Sequence, residues 1–531
     1  MTMNRIIPGI IIVLWIALLQ FSMAEVIKVG PAQPYASLQD ITSLVDPGDT
    51  VLVDGDHTYS GGVEFDRSGT AGKPIVIKGI RINDKRPVLS GGVNTIHFST
   101  WPYDQPGADH YILEGFEITG GSKRGIFHQA SDLVVRDCVV HDCPEHGILG
   151  ADEGSGSLTL EYVEVYNCGS GELRHQLYIS TDQINRPGSV FRMQYCYIHD
   201  GNGGNNIKSR AERNEIYYNW IENAYYHELE LIGPELGSPE LKREDSDVVG
   251  NVIWDRNDYY LVRIGGDGTG ETNGRYRFLN NTFISNSRAV FRLFDGLQSV
   301  EMHNNIFYRE GSAAPLIMKS DDAVWTNGVA LIAGQKNWLK TNSQNIPTQW
   351  TGSVFGDDPG FKSIDSDDLS PKETSPLINA GANSFTGPDT FTVPDPLSKP
   401  FYVPPAGKIV TDPVLLIRKA DQTLDIGAYE AGGADKVLND VPLPDHFNLF
   451  QNFPNPFNNQ TQIDFHLNKP QRIELQIYNS VGQSVLRLLS GAANAGHFSL
   501  NWNASGLPSG IYYYQLSAED HTAQKKCLII K

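Results

Sequence analysis

Seven segments between residues 133 and 308 share one pattern, and in four of them the same position is asparagine. They read LVVRDCVVHD, LTLEYVEVYN, FRMQYCYIHD, EIYYNWIEN, VVGNVIWDRN, YRFLNNTFISN and VEMHNNIFY. The shared column runs Cys138, Val163, Cys196, Asn219, Asn251, Asn281 and Asn305. An amide set among apolar neighbours is costly to bury alone. Amides stacked one above another satisfy each other, because each offers both donor and acceptor. A variable repeat of roughly two to three dozen residues with such a column requires coils that stack in register, as in a solenoid.

A second set of short segments alternates with these: GIFHQ, GILGA, QLYIS, NIKSR, ELELI, LVRIG and VFRLF. With period 2 the inward pairs are Leu177/Ile179, Ile207/Ser209, Leu229/Leu231, Val262/Ile264 and Phe291/Leu293. The outward column is then Phe127, Leu149, Tyr178, Lys208, Glu230, Arg263 and Arg292, with Gln176, Asn206, Arg210 and Glu228 as outward neighbours. Descending it, the column turns from apolar to charged. The stacked asparagines resemble the asparagine ladder of parallel β-helices. Residues 25–95, with short strands VIKVG, DTVLVDG and PIVIKGI around the helical-looking ASLQDITSLV, resemble the N-terminal cap of secreted right-handed parallel β-helices of the pectate-lyase type. The expected fold is all-β: a right-handed parallel β-helix over residues 25–430, then a small β-sandwich. DDPGF, SPLINAGA and LDIGAYE resemble closing segments of secreted bacterial β-helix proteins, and are expected to finish the last coils and cover the core.

The chain of 531 residues carries a net charge of −20, which argues against nucleic acid as a partner. An anionic ligand would need a local basic patch or a bound cation. Residues 1–24 read as a signal peptide, with Arg5 before an apolar run and small residues Ser22 and Ala24 near a cleavage point. No later segment is apolar enough to cross a bilayer. Cys143 and Cys168 fall on adjacent rungs, so either a disulfide or two buried thiols fits them.

Residues 431–444 form a plausible linker. Residues 445–531 read as about seven short strands and closely resemble the C-terminal sorting domain of type IX secretion cargo. The matching parts are Asn455-Pro456-Phe457, IYNSVGQSV, GLPSGIYYY and the tail KKCLIIK. The resemblance implies export through the periplasm and across the outer membrane, to the medium or the cell surface, through the type IX machinery. A carbohydrate-binding sandwich is the weaker alternative, for want of a platform of exposed Trp.

The chemistry is expected on the outward column. β-Elimination of a uronide needs a base, positive charge for the carboxylate and a proton for the leaving oxygen. Lys208 and Arg210 with Arg263, about 10 Å from Lys208 at two rung spacings, would supply the first two. His227 and His175 are candidate proton donors. Lys208-Ser209 with a following arginine locally resembles alginate and chondroitin lyases of the β-helix class, which implies a lysine base, an arginine and often calcium. Glu228 and Glu230, with Asp267, would hold Ca²⁺. Tyr178, Gln176, Asn206, Arg292 and His175 would contact a polysaccharide, expected to be anionic, and the chain is expected to be a monomer. Against Lys208 as base stands Glu230 on the next rung, since a close carboxylate raises a lysine pKa.

Three readings therefore stay open. One is a polysaccharide lyase. A second is a glycoside hydrolase that uses Glu228 and Glu230, whose Cα atoms would lie about 6.8 Å apart on one strand face. The third is a surface protein that binds glycan or another cell without turnover. A ladder of Lys, Glu and Arg can also simply stabilise a sheet by cross-strand pairing.

Overall fold

The computed structural model describes residues 24–531 except 100–106, 234–244, 269–273, 323–330, 388–396, 406–415, 437–446 and 468–470, with shorter interruptions that include Asp267. The expected signal segment thus lies almost wholly outside the described residues, as does most of the expected linker. Three long parallel sheets run through the first part of the chain, with 13, 12 and 10 strands. Each coil adds one strand to each sheet, so the architecture is a right-handed parallel β-helix.

Alternation drives it. In Ile75–Ile80 the pattern IVIKGI buries every second residue, and inward Ile, Val, Leu and Phe from all three sheets merge into one continuous core. At about 25 cal/mol per Å² of apolar surface, burying each such side chain contributes roughly 1.5–3 kcal/mol. The expected N-terminal cap is present in reduced form. Only Leu38–Asp40 is helical, as one 3₁₀ turn, with Asp40 accepting from the Ser37 amide and hydroxyl. Leu38, Ile41 and Val45 nevertheless enter the core.

The asparagine ladder forms as the column requires. Asn219 Nδ2 donates to Asn251 Oδ1 at 3.0 Å, Asn251 to Asn281 at 2.9 Å and Asn281 to Asn305 at 2.9 Å. It extends one coil further, to Asn337 at 3.2 Å. Each amide also donates to a backbone carbonyl, as Asn251 does to Ile216 O at 2.9 Å. The residue before each ladder position turns left-handed, including Tyr195 (φ 57°), Tyr218 (φ 56°) and Asn280 (φ 52°). Such angles are strained for tyrosine; here Tyr195 and Tyr218 stack at 5.7 Å with Tyr162 on the preceding coil, 4.9 Å from Tyr195.

The segment after the last coil does not finish the helix, contrary to expectation. It turns back along the outside. Leu377, Ile426 and Ala428 pack on Trp220, Trp254, Ile284, Ile306 and Trp338, which point away from the interior. Asn280 Nδ2 donates to Asp425 O at 2.7 Å and Gly427 O at 3.0 Å, while Ala382 N donates to Asn304 Oδ1 at 2.7 Å. Tyr402 meets Tyr195 and Tyr218 edge-on at 5.6 and 5.5 Å. Those outward aromatics need cover, and the strap supplies it.

Beyond residue 446 the strands form a three-stranded and a four-stranded antiparallel sheet around a separate core that includes Phe465, Ile477, Trp502 and Tyr514. Asn455 Oδ1 accepts from Leu528 N at 2.8 Å, so the Asn-Pro-Phe motif is tied to the final strand. Cys527 fills that core. Cys143 and Cys168 are buried free thiols on adjacent coils, and Cys143 Sγ donates to His141 O at 3.3 Å.

Candidate active site

The 10-stranded sheet carries the outward column in the register read from the sequence. Phe127 pairs with Leu149, Leu149 with Tyr178, Tyr178 with Lys208, Lys208 with Glu230, Glu230 with Arg263 and Arg263 with Arg292. Their strands are Arg124–His128, His146–Gly150, Leu177–Ser180, Ile207–Arg210, Leu229–Leu231, Val262–Ile264 and Ala289–Leu293.

Glu230 is the electrostatic centre. Arg263 Nη1 donates to one of its oxygens, Asn205 Nδ2 donates to the other, and Lys208 Nζ lies 3.8 Å away. Lys208 also sits 5.4 Å from the Tyr178 ring centroid. Farther down, Phe294 is shared by two guanidiniums, Arg263 at 4.0 Å and Arg292 at 4.6 Å, and Arg292 lies 5.0 Å from Tyr260. Asp322 stands 3.9 Å from Arg292. Among the described residues, then, the column holds three cations against one carboxylate in a strongly acidic chain.

Two expectations are corrected. Gln176, Asn206 and Glu228 do not face outward; each is at most 1 % exposed. They form a second ladder inside the corner, with Gln176 Nε2 donating to Asn206 Oδ1 at 2.7 Å and Asn206 Nδ2 to Glu228 Oε2 at 2.6 Å. Glu228 Oε1 accepts from Ala224 N at 2.9 Å, and burial pushes its carboxyl well above the usual range. The backbone turns at this corner, so the period-2 alternation of the strand does not carry back to residue 228. Arg210 is likewise buried, at the strand end, with Nη1 3.5 Å from Gly233 O.

Glu228 and Glu230 therefore do not share a face, which removes the inverting pair. Nor do they fit calcium: one carboxylate is bonded inside the corner and the other is taken by Arg263, Asn205 and Lys208. Asp267 lies outside the described residues, and no group of three metal-ligating side chains occurs among those described.

The histidines sit one corner away, at the start of each strand, in a column His146, His175, Asn205, His227 and Tyr260. His175 Nδ1 accepts from Asn205 N at 2.9 Å, whereas His227 Nδ1 faces Tyr260 O at 2.9 Å. Burial first, then the nearby Lys208 and His146, depress His175 far below the usual imidazole value. Burial lowers His227 to about 4, against the opposing pull of Glu230. Both are neutral at pH 7, so neither is an imidazolium proton donor. Asn205, Tyr260 and Phe294 were missed in the sequence. The first two share the histidine column, and that alignment was the available signal.

A second charged set lies on the 13-stranded sheet, where Arg277 binds Asp247 at 2.5 and 2.7 Å and Arg136 binds Glu161 at 2.9 and 2.7 Å. These groups are nearly inaccessible, and each cation has a carboxylate beside it, as in a structural ladder.

Stacked coils with one cation-rich outer column define the class of protein: a parallel β-helix with a solvent-facing polar ladder. Residues 451–531 match the family described as the secretion system C-terminal sorting domain, so the chain carries such a domain behind its β-helix. No curated protein sequence matches the chain. Among solved structures, an alginate lyase from Paenibacillus sp. str. FPU-7 is 14% identical, with a TM-score of 0.32 over 62% of this chain and 99% of that one. The PL6 family alginate lyase AlyGC is 14% identical, with a TM-score of 0.33 over 65% and 55%. Tailspike protein 2 of Bacteriophage CBA120 is 9% identical, with a TM-score of 0.35 over 92% and 73%.

Proposed function

We propose that this is an exported polysaccharide lyase that cleaves a uronic-acid-containing glycan by β-elimination. The observation that carries the reading is the in-register column Lys208, Arg263 and Arg292 on one outer face, with Glu230 its one carboxylate. Cations held at rung spacing, about 4.8 Å apart, suit acidic groups repeated along an extended sugar chain. Arginine forks bind such carboxylates in two places at once. The sorting domain supports export to the cell surface or medium, with the type IX machinery as partner.

A non-catalytic glycan-binding role is favoured by one specific contact, the pairing of Arg263 with Glu230, which engages the arginine even before substrate arrives. The two readings part on a single assay. Purified protein is offered alginate, pectate and glycosaminoglycans, and elimination yields an unsaturated uronide with new ultraviolet absorbance. Binding to an anionic glycan without that product on any of them would leave the binding role in its place.

A further inference from the structure

Resting on the lyase reading, we infer that His227 is the general base of this site and that Lys208 serves as its acid. The hydrogen-bond directions fix the first role. Tyr260 O can only accept, so His227 Nδ1 carries the proton and donates across the 2.9 Å contact. The lone pair is thereby placed on Nε2, for which the described residues provide no hydrogen bond. His175 has the opposite tautomer, because Asn205 N can only donate to its Nδ1. The two imidazoles stand two coils apart on one corner and are not equivalent: one presents a lone pair, the other an N–H.

The groups around His227 fit the task. Glu230 lies close enough to stabilise the imidazolium once formed, while Arg263 and Arg292 oppose it. Tyr259 packs edge-on at 4.9 Å and Tyr260 lies tilted at 6.2 Å, which restricts the ring plane. Burial is the main cause that keeps His227 unprotonated, and a uronate carboxylate bound by Arg263 and Arg292 neutralises the two charges that add to it. Substrate binding thus strengthens the base. Lys208 has the complementary setting: its ammonium faces Glu230 at 3.8 Å and Tyr178 at 5.4 Å.

The step balances without a further reactant. His227 Nε2 takes the proton from the carbon next to the uronate carboxylate. The electron pair of that C–H bond forms the new C=C bond, and the C–O bond to the leaving sugar breaks. Lys208 passes a proton to that oxygen. Afterwards the imidazolium releases its proton to water and the amine regains one.

The test uses the full chain and a uronide oligosaccharide. With His227 as base, kcat/KM falls only below about pH 4 and shows no rise through the alkaline range where a lysine base would come into play. The acid limb of kcat, which reports the bound complex, sits at higher pH. His227→Asn loses at least about 100-fold in kcat, and His227→Gly recovers turnover with added imidazole. Lys208→Ala is slow on the natural glycan and recovers on a uronide with a phenolate leaving group, which needs no acid. An alkaline rise in kcat/KM, or a His227→Asn variant within a few-fold of the parent, overturns the assignment while leaving the lyase reading standing. A parent protein inactive on every uronide overturns both. Nitrogen NMR of the His227 ring, assigned by loss of its signals in His227→Asn, checks the tautomer independently of activity; an Nε2-protonated ring overturns the inference.

Discussion

Lys208 Nζ stands 3.8 Å from the Glu230 carboxylate across two adjacent coils, and Arg263 on the third coil donates to the same group. One nearly buried carboxylate thus organises the cations on either side of it, and its removal would leave them facing each other. Glu230→Ala is expected to lower stability by about 3 kcal/mol, the scale for breaking a buried pair, and to tighten binding of an anionic oligosaccharide through the added net positive charge. Urea unfolding and titration calorimetry check the two effects. Unchanged stability would mean that the pair is merely incidental.

Glu228 offers a test with a pH sign. Its folded pKa is raised by burial, opposed by the Ala224 and Asn206 hydrogen bonds. Stability from such a group is complete below the unfolded value, about 4.5, and is lost as pH rises toward the folded one. Relative to the parent, Glu228→Gln is therefore expected to gain stability as pH rises from below about 4.5 to 7, on top of a pH-independent loss from the one acceptor that the amide cannot replace. Glycan turnover should persist, where a hydrolase using Glu228 would lose it.

His199 on the 12-stranded sheet should behave oppositely. Burial disfavours its charge, but Glu164 at 3.1 Å and Asp200 at 2.8 Å outweigh that and raise its pKa. The contribution is present below the ordinary histidine value and disappears as pH rises through the raised one. His199→Gln should lower the melting temperature at pH 5 and leave it nearly unchanged at pH 9. A uniform loss at both would point to packing against Tyr166 and Tyr197 instead.

Asn251→Ala interrupts the ladder. It removes the acceptor for both the Asn219 backbone amide and its Nδ2, and the donor to Ile216 O. With about 1–3 kcal/mol for each buried group left unsatisfied, the loss should exceed that of an ordinary surface change several times over. Chemical denaturation measures it directly.

Chelation should do nothing. Because Glu228 and Glu230 are already bonded within the protein, exhaustive treatment with a calcium chelator is expected to leave the melting temperature and glycan turnover unchanged. A fall in either, restored by added Ca²⁺, would return a metal to this face.

The outward column was legible in the sequence residue by residue, because period-2 strands stacked at a fixed spacing leave no freedom in register once the inward residues are known. The asparagine ladder was legible for the same reason. What failed were places where periodicity stops. Glu228 sits at a corner, and its side chain follows the Gln176–Asn206 column inward, not Glu230 outward. His175 and His227 were visible, but their tautomers depend on which backbone group each Nδ1 meets, Asn205 N or Tyr260 O. The returning strap has no repeat, and its partners lie far off in sequence, as Asp425 does from Asn280.

That strap bears on how the molecule comes apart. Stacked coils interact with nearest neighbours alone, so a bare solenoid can peel from an end one coil at a time. Here Leu377 and Ile426 sit among aromatics spread from Trp220 to Trp338, and Tyr402 reaches Tyr195. A segment later in sequence clasps coils formed much earlier, so the coils between Tyr195 and Trp338 cannot separate without first releasing it. This stretch gains an all-or-none character that repetition alone does not confer, suited to a chain exported to the cell surface or medium.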